Sequence, residues 1–422
     1  MRTSGRLTDD VLAAVDAQLV TADQALADLY PGDPGTRQPV HTVYLPADVV
    51  GTRTPAGWGA EALALLDDVA PDAAAAADVT GLGTAVDEDV HRRVRGKLAT
   101  QPVEDLRIDF EDGYGSRSDG EEDATAEAAG RVLAELLQAA YGPSFAGIRF
   151  KSLERATRRR GLRTVDLVLA SLLEAGPLPE GFVVTLPKVT SVDQVTAMVT
   201  VCEALEDAYG LPAGRLRFEI QVETPQAIVA ANGVATVAPM LHAAGGRCVG
   251  LHYGTYDYSA ACGISPAHQS MEHPVADHAK AVMQVAAAGT GVRLSDGSTN
   301  VVPVGSSRQV RDALALHARL VRRSLERGYY QGWDLHPGHL VTRYLATYAF
   351  YRAGFPTAAD RLRNYLSRVA GGVMDEPATA QALASFVLRG VHCGALDEAE
   401  ATAATGVDRA ALEALARRRE VT

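Results

Sequence analysis

The sequence contains few cysteines and no cysteine spacing that suggests a disulfide framework or a metal site. Four occur in 422 residues, and no CxxC pair is present. Widely spaced cysteines without secretory features are typical of reduced, mostly buried thiols in the cytoplasm. We therefore expect four free thiols, of which only Cys262 lies close to a motif that suggests chemistry.

Long hydrophobic runs and a positive net charge are also absent. No apolar stretch approaches the roughly 20 residues that a membrane helix requires, and residues 1–10 are polar rather than typical of a signal peptide. A net charge of −12 argues against nucleic acid or an anionic membrane as a partner. These features predict a cytoplasmic protein whose partner is a small molecule, and a local cationic pocket would still allow an anionic substrate.

The sequence also lacks a glycine-rich phosphate loop after an early strand, which disfavours an open, doubly wound nucleotide-binding sheet. Short β-rich runs instead alternate with helical stretches. The runs lie at 41–45, 106–110, 147–151, 182–186, 216–223, 248–253, 300–304 and 329–335. Eight strands alternating with helices predict an α/β fold, a (β/α)₈ TIM barrel.

We expect three regions along the chain. Residues 1–40 form an N-terminal segment with an amphipathic helix at 11–29, and residues 41–340 form the barrel. Only helical patterns follow, so residues 341–422 are predicted to be a helical C-terminal extension. Glycine and proline indicate breaks in this extension at 354–356 and 371–377.

Carboxylates follow the fifth and sixth predicted strands, at the barrel end where chemistry is expected. Alternation points Glu219 and Glu223 inward. For Glu219 we expect a buried ion pair, and for Glu223, at the strand's end, metal or substrate. Asp257 ends the next strand's turn, so Glu223 and Asp257 together suit an all-oxygen Mg²⁺ or Mn²⁺ site. A helix cap or turn is the structural alternative for Asp257.

The second, third and fourth strands end in further charged residues. Glu111 and Asp112 are candidates for binding substrate, orienting metal-bound water or positioning a cation, and an acidic loop that ends a strand is the structural alternative. Arg149 suits a planar carboxylate or a developing enolate oxygen, or else pairs structurally with one of those two acids. Lys188 is a Schiff-base candidate in principle, but beside a metal pair we favour an electrostatic or structural role, and we count it among the candidates for substrate binding. An arginine run at 155–163 is either a solvated helix face or an attractor for the phosphates of a coenzyme A ester.

The histidines give a weaker indication of a metal. His336 and His339 flank a proline turn after the eighth strand, and no HExxH motif is present. We therefore expect hydrogen-bonded loop histidines at these positions rather than a Zn²⁺ site.

Taken in order, six segments resemble one known family. They are IDFEDGYG, IRFKS, LPKV, QVETPQA, GLHYGTYDYSAACG and WDLHPGHL, and they cover roughly residues 41–340. The set resembles the HpcH/HpaI aldolase and citrate lyase β-subunit family, to which malate synthase is related. The resemblance implies Mg²⁺ held by Glu223 and Asp257, Arg149 polarising a keto or thioester oxygen, and a homo-oligomer. It also implies substrate contacts for the residues that precede Asp257: Gly254, Thr255 and Tyr256.

The C-terminal segment VMDEPATAQALASFVLRGVHCG resembles the part of malate synthases that carries a catalytic aspartate. The matching acids are Asp375 and Glu376, with the base position at Glu376, where malate synthases have aspartate; Pro377 is a further departure. A carboxylate there would remove an α-proton from an acyl donor. The alternative interpretation is an acidic first turn of a helix, with Pro377 near its first position.

Three hypotheses about function follow. The first is a lyase or aldolase that acts on a small hydroxy or keto acid, or its coenzyme A ester, through an enolate stabilised by metal and arginine. The second is a malate-synthase-like condensation of acetyl-CoA with a 2-oxo acid. The third is a non-catalytic barrel that binds a carboxylate.

Overall fold

A ring of eight parallel strands forms the centre of the protein, in a computed structural model that describes residues 6–139, 142–367 and 376–417. Each strand pairs with the next one along the chain, and the first also pairs with the eighth. A parallel bridge between Ser295 and Gln331 closes the ring, so the predicted barrel is confirmed. The strands are β1 (His41–Pro46), β2 (Asp105–Asp109), β3 (Phe145–Arg149), β4 (Phe182–Leu186), β5 (Phe218–Val222), β6 (Cys248–Tyr253), β7 (Arg293–Ser295) and β8 (Gly332–Asp334).

Helices fill the connections between strands and make up both ends of the described chain. They are α1 (Asp9–Leu29), α2 (Thr54–Val69), α3 (Ala73–Thr80), α4 (Glu88–Thr100), α5 (Asp119–Gln138), α6 (Arg158–Ala175), α7 (Val192–Tyr209), α8 (Pro225–Ile228), α9 (Val237–Ala243), α10 (Thr255–Ala261), α11 (Pro274–Ala287), α12 (Ser307–Glu326), α13 (Pro337–Leu366), α14 (Pro377–Cys393), α15 (Glu398–Thr405) and α16 (Arg409–Ala416). Within the described part of the chain, none of these helices has the length and apolar character needed to cross a bilayer.

The strands bury apolar side chains against the outer helices and polar ones inside the barrel, as their alternation predicts. The lower interior, away from the strands' C-terminal ends, holds a charged network centred on Glu219. Arg107 donates to both oxygens of Glu219, at 3.1 and 2.9 Å, and Thr185 and His252 contact the same carboxylate. The predicted buried ion pair of Glu219 is therefore confirmed. Mutual attraction and hydrogen bonds offset the desolvation of these groups.

The seventh strand is not where the sequence pattern placed it. The predicted run at 300–304 is a loop, and β7 (Arg293–Ser295) precedes it. The run is rich in valine but contains Pro303, which lacks the N–H that a strand ladder needs, and Val301 and Val304 are exposed. The true strand has only three residues, too few to give a recognisable period.

A single helix joins the barrel to the C-terminal region. Helix α13 starts directly after β8 and runs for 30 residues, without interruption at the proposed boundary between 340 and 341. The predicted break at 354–356 is wrong, because Pro356 lies inside this helix and Gly354 lies where the Phe386 ring packs closely. Most of the predicted break at 371–377 falls outside the described residues, and Pro377 begins α14. Helices α13 to α16 enclose a second, smaller hydrophobic core.

Candidate active site

Arg149, the last residue of β3, lies at the C-terminal mouth of the barrel and is held by Asp109 of β2. Its Nε and Nη2 both donate to Asp109 at 2.7 Å. The other terminal nitrogen, Nη1, has only longer contacts: 3.5 Å to Gln221 Oε1, 3.5 Å to Glu111 and 4.0 Å to Asp112. The bidentate pair therefore fixes the plane of the guanidinium and leaves one edge available to a ligand.

Two aromatic rings and an amide complete the surroundings of Arg149. The guanidinium lies 5.2 Å from the ring centroid of Tyr44 and 5.9 Å from that of Trp333. Gln221 is fully buried, and its Nε2 has no hydrogen-bond partner in the described chain. A buried donor left without a partner beside a fixed arginine is the arrangement expected of a pocket that receives an oxygen-rich ligand.

Four carboxylates from three strand ends surround Lys188. Its Nζ lies 2.9 Å from Glu111, 2.8 Å from Asp112 and 3.0 Å from Asp257. Its backbone N–H donates to Glu223 at 2.8 Å. The structure therefore brings these five predicted charged residues of the mouth into one cluster, which contacts Arg149 through Glu111 and Asp112.

The backbone of Lys188 is unusual. It is the one non-glycine residue of the described chain with a positive φ, at 51°. For a residue with a Cβ this left-handed conformation is unfavourable, and such strain is common at functional sites. Here the turn after β4 aims both the amide and the ammonium of Lys188 at the carboxylates. Burial alone would lower the pKa of Lys188, but the carboxylates of Glu223, Asp112 and Glu111 raise it well above its usual range.

Glu223, directly after β5, is a buried carboxyl with a strongly shifted pKa. Burial raises the pKa of Glu223 to about 8; Asp257 and Glu111 add to the rise, whereas Lys188 and Arg149 oppose it. A Cβ at Gly254 would lie 2.5 Å from Glu223 Cβ and 2.8 Å from its Oε2. The glycine at the end of β6 is therefore needed for the close approach of this segment to the carboxyl group.

Glu111 and Asp112, in the turn after β2, titrate differently although they are adjacent. Burial raises the pKa of Glu111 to about 7. Burial alone would also raise the pKa of Asp112, but hydrogen bonds from Glu111 and Lys188 lower it. Near neutral pH the pair can therefore hold one mobile proton on Glu111.

The residues before Asp257 hold the loop that follows β7. Ser298 N donates to Thr255 Oγ1 at 3.2 Å, and Asn300 N donates to the Tyr256 hydroxyl at 2.5 Å. Asp257 itself lies in the first turn of α10 and is half-exposed, so it also suits the positive end of the helix dipole. The predicted substrate contacts of Thr255 and Tyr256 thus lie beside the cluster, where they fix one wall of the mouth.

The predicted C-terminal base does not join this cluster. Asp375 lies outside the described residues. Glu376 is exposed and directly precedes α14, whose first residue is Pro377. This position agrees with the alternative interpretation, in which the acid lies at the start of a helix. Tyr348 donates to Cys393 O at 2.8 Å and Phe386 packs on Gly354, so α14 runs antiparallel to α13. Its start therefore lies near the end of α13 that is remote from the barrel mouth.

A buried histidine cluster near β8 has the ligand types of a metal site, but its members already have hydrogen-bond and ion-pair partners within the protein. Nitrogens of His317 and His339 and an oxygen of Asp334 lie within 4.8 Å of one another. Asp334, however, contacts His317 at 3.2 Å, His41 at 3.0 Å and Arg343 at 2.9 Å. His339 Nε2 is within 3.0 Å of the Val301 carbonyl. The predicted hydrogen-bonded role of His339 fits this arrangement.

Four residues near Arg149 were not predicted from the sequence: Asp109, Gln221, Tyr44 and Trp333. Asp109 shares the inward register of Arg107 and Glu111, so the alternation of β2 was a usable signal for it. Tyr44 and Trp333 come from the neighbouring strands β1 and β8. Only closure of the barrel brings their rings, 4.3 Å apart, to the arginine.

A cavity of about 1060 Å³ lies at the opposite, N-terminal end of the barrel. Its floor is formed by Arg107 and Glu219, which already pair with each other. Chemistry in barrels of this type is found at the C-terminal ends of the strands. The mouth cluster, and not this cavity, is therefore the candidate active site.

The chain was compared with known families and structures. Residues 19–420 match the model of the family described as "Domain of unknown function (DUF6986)". No curated protein sequence matches the chain.

Two solved structures illustrate what the chain is similar to. A Haloferax volcanii malate synthase, in a lead(II) complex, is 17% identical over 84% of this chain and 88% of that one, with a TM-score of 0.48. A Mycobacterium tuberculosis citrate lyase beta subunit, complexed with oxaloacetate and magnesium, is 18% identical over 74% and 98%, with a TM-score of 0.43. The match over nearly the whole chain shows that the protein belongs to the DUF6986 family.

Proposed function

We propose that the protein is a Mg²⁺-dependent carbon–carbon lyase or aldolase that acts on a small hydroxy or keto acid, or on its coenzyme A ester. One observation carries the proposal: carboxylates from three strand ends converge on a single cationic position beside an immobilised arginine. The ordered motifs that resemble the HpcH/HpaI aldolase and citrate lyase β-subunit family point to the same chemistry.

The residues of the cluster fit a hard divalent cation. Glu223 and Asp257 offer carboxylate oxygens from adjacent strand ends, which is the donor type that Mg²⁺ prefers. Because burial raises the pKa of Glu223 to about 8, this carboxyl would release its proton on binding a cation, and the affinity for the cation would rise as the pH approaches that value. When bound there, Mg²⁺ would neutralise negative charge on an oxyacid substrate.

Arg149 and Glu111 supply the remaining parts of the reaction. In the cleavage direction a base takes the substrate's hydroxyl proton, the carbon–carbon bond breaks, and its electron pair passes to the departing fragment as an enolate that is then protonated on carbon. Arg149 Nη1 can donate to the oxygen on which that charge develops, and Asp109 holds it in place beforehand. Glu111, with a pKa raised by burial to about 7, is suited to move the proton.

Condensation of acetyl-CoA with a 2-oxo acid is the second candidate. One observation favours it: Arg155, Arg158 and Arg159 near the start of α6 are exposed, and no carboxylate of the described chain pairs with them. Such arginines suit the phosphates of coenzyme A. The remote position of Glu376 argues for the lyase, because the condensation hypothesis used this residue as the base.

The test is exchange of the methyl protons of pyruvate and of acetyl-CoA with solvent. Proton NMR in D₂O, with and without Mg²⁺, measures the rate at which these signals disappear. We expect exchange that depends on Mg²⁺ and is slowed by about 10²–10³-fold in Arg149→Lys, because a single ammonium cannot replace the oriented fork. Glu223→Gln should abolish Mg²⁺ binding in calorimetry together with exchange.

Glu376→Gln separates the hypotheses. Unchanged exchange into pyruvate in this variant is expected of the lyase. Loss of exchange into acetyl-CoA would favour condensation instead. If the wild-type protein binds Mg²⁺ but exchanges no proton into either compound, the non-catalytic carboxylate-binding barrel would be the better description.

A further inference from the structure

Helix α1 is an isolated amphipathic helix with an uncovered apolar face. None of its 21 residues is buried. Of the fifteen large hydrophobic residues that are exposed in the described part of the chain, nine lie between positions 7 and 30. The connection to the barrel is made after the helix, where Gly32 N donates to Gly289 O at 2.7 Å and Tyr30 contacts the His242 ring. A helix of this length is marginal in water without packing, so this face calls for a partner.

The apolar residues of α1 follow a heptad spacing. Steps of three and four residues connect six positions, and the large side chains among them are 42–62% exposed. An apolar residue every 3.5 positions on average is the pattern of a two-stranded coiled coil rather than of a helix lying on a globular surface. These six positions form the α1 seam: Leu12, Val15, Leu19, Ala22, Leu26 and Leu29.

The charges beside the seam decide the kind of partner. Helix α1 contains five aspartates and no lysine, arginine or histidine. An anionic lipid surface would therefore repel it. One flank of the seam is acidic in each heptad, at Asp9, Asp16 and Asp23, whereas the other flank is uncharged, with Val11, Gln18 and Ala25.

The charge on one flank also determines how two copies of α1 would be oriented in a coiled coil. In a parallel pair each flank of one helix faces the opposite flank of its partner, so Asp16 meets Val11 and Asp23 meets Gln18. In an antiparallel pair like flanks meet, and Asp16 would face Asp23 of the other copy. Like charges at such positions are unfavourable, and the e and g flanks set orientation in coiled coils. The parallel arrangement avoids these contacts.

We propose that α1 of two copies of this chain pairs through the α1 seam as a parallel two-stranded coiled coil. The pairing joins two barrels through their N-terminal segments, on the side away from the catalytic mouth. It is independent of the proposed function, since no residue of α1 belongs to the candidate active site.

Disulfide cross-linking of the full-length protein tests the pairing. Cys262 is replaced by serine, because it is the one native cysteine that is not buried in the described structure. Leu12→Cys should then give a covalent dimer under mild oxidation, because a parallel pair places position 12 of both helices within disulfide reach. Val20→Cys is the matched control: Val20 is 62% exposed on the same helix but lies off the seam, so no dimer is expected.

Two further variants make the result specific. Adding Leu19→Ala and Leu26→Ala to Leu12→Cys should lower the dimer yield at least tenfold, whereas adding Val20→Ala should not. Thermal unfolding of the barrel should remain unchanged in all of them, since none of these α1 residues is buried in the single chain.

Several outcomes would overturn the proposal. One is a dimer formed only between Leu12→Cys and Leu29→Cys chains, which indicates antiparallel pairing. Others are equal yields from Leu12→Cys and Val20→Cys, the absence of any seam cross-link, or binding of the wild-type chain to phosphatidylserine vesicles in place of cross-linking.

Discussion

Glu104, just before β2, is a single carboxylate that ties three parts of the chain together. It is fully buried and contacts Arg37 at 2.8 Å and Lys97 at 2.6 Å, and it accepts from Val40 N at 2.9 Å. Burial alone would raise the pKa of Glu104, but Lys97 and Arg37 lower it to about 2 from its ordinary value of 4.5. The folded state therefore favours the ionised form.

A lowered pKa means that the stabilisation by Glu104 is present above pH 4.5 and is lost as the pH falls toward 2. We expect the free energy of unfolding of the wild-type protein to fall by about 3 kcal/mol more than that of Glu104→Gln between pH 6 and pH 2. Urea titrations at a series of pH values measure the difference. Parallel pH profiles for the two proteins would contradict the assignment.

At the scale of elements, β3 can lie against β4 only because position 147 has no side chain. A Cβ on Gly147 would lie 1.7 Å from the Val183 carbonyl oxygen and 2.8 Å from its carbon. Both neighbours are backbone atoms, which cannot rotate away. The same strand ends at Arg149, so the glycine also determines where the arginine is presented.

Gly147→Ala should therefore destabilise the protein by about 3 kcal/mol, because the two strands must separate to admit a methyl group. Gly96→Ala is the matched control. Gly96 is exposed within α4 and an added Cβ meets nothing within 4 Å, so this substitution should stabilise by about 0.5–1 kcal/mol. Chemical denaturation measures the change in the free energy of unfolding of each variant. Changes of the same sign would show that the close contact at Gly147 does not determine the stability.

At the scale of the whole molecule, α13 belongs to two hydrophobic cores. Its first half packs in the barrel core and its second half in the core shared with α14, α15 and α16. Phe386 of α14 bridges them, with ring centroids 5.7 Å from Phe350 and 5.1 Å from Tyr351. We infer that the barrel and the C-terminal helices unfold as one cooperative unit, although the sequence suggested separate regions.

Phe386→Ala tests this inference and should lower the free energy of unfolding by about 2–3 kcal/mol. Both tryptophans, Trp58 and Trp333, lie in the barrel region, so their fluorescence reports on that part, whereas far-UV circular dichroism reports on all helices. The two transitions should coincide and shift together. Val285→Ala, at a 79% exposed valine, should leave both unchanged. A shift in circular dichroism alone would instead establish an independent C-terminal domain.

The sequence by itself determined the barrel and the charged residues at its mouth. Alternation in β3 and β5 is a local property, and parallel strands carry their C-terminal ends to one face, so local patterns suffice to select Arg149 and Glu223, and Lys188 at the end of β4. The same logic failed for β7, where three residues are too short for a pattern and a proline-containing loop imitated one. It also failed at Pro356, which tertiary packing retains inside a helix.

Only the tertiary structure decided which partners these residues have. The pairing of Asp109 with Arg149 depends on the register of β2 against β3, and the approach of Trp333 depends on closure of the ring between β8 and β1. The exclusion of Glu376 from the cluster depends on the antiparallel return of α14. Periodicity fixes the direction of a side chain relative to its own element, whereas distances between elements follow from packing of the entire core, which no local pattern contains.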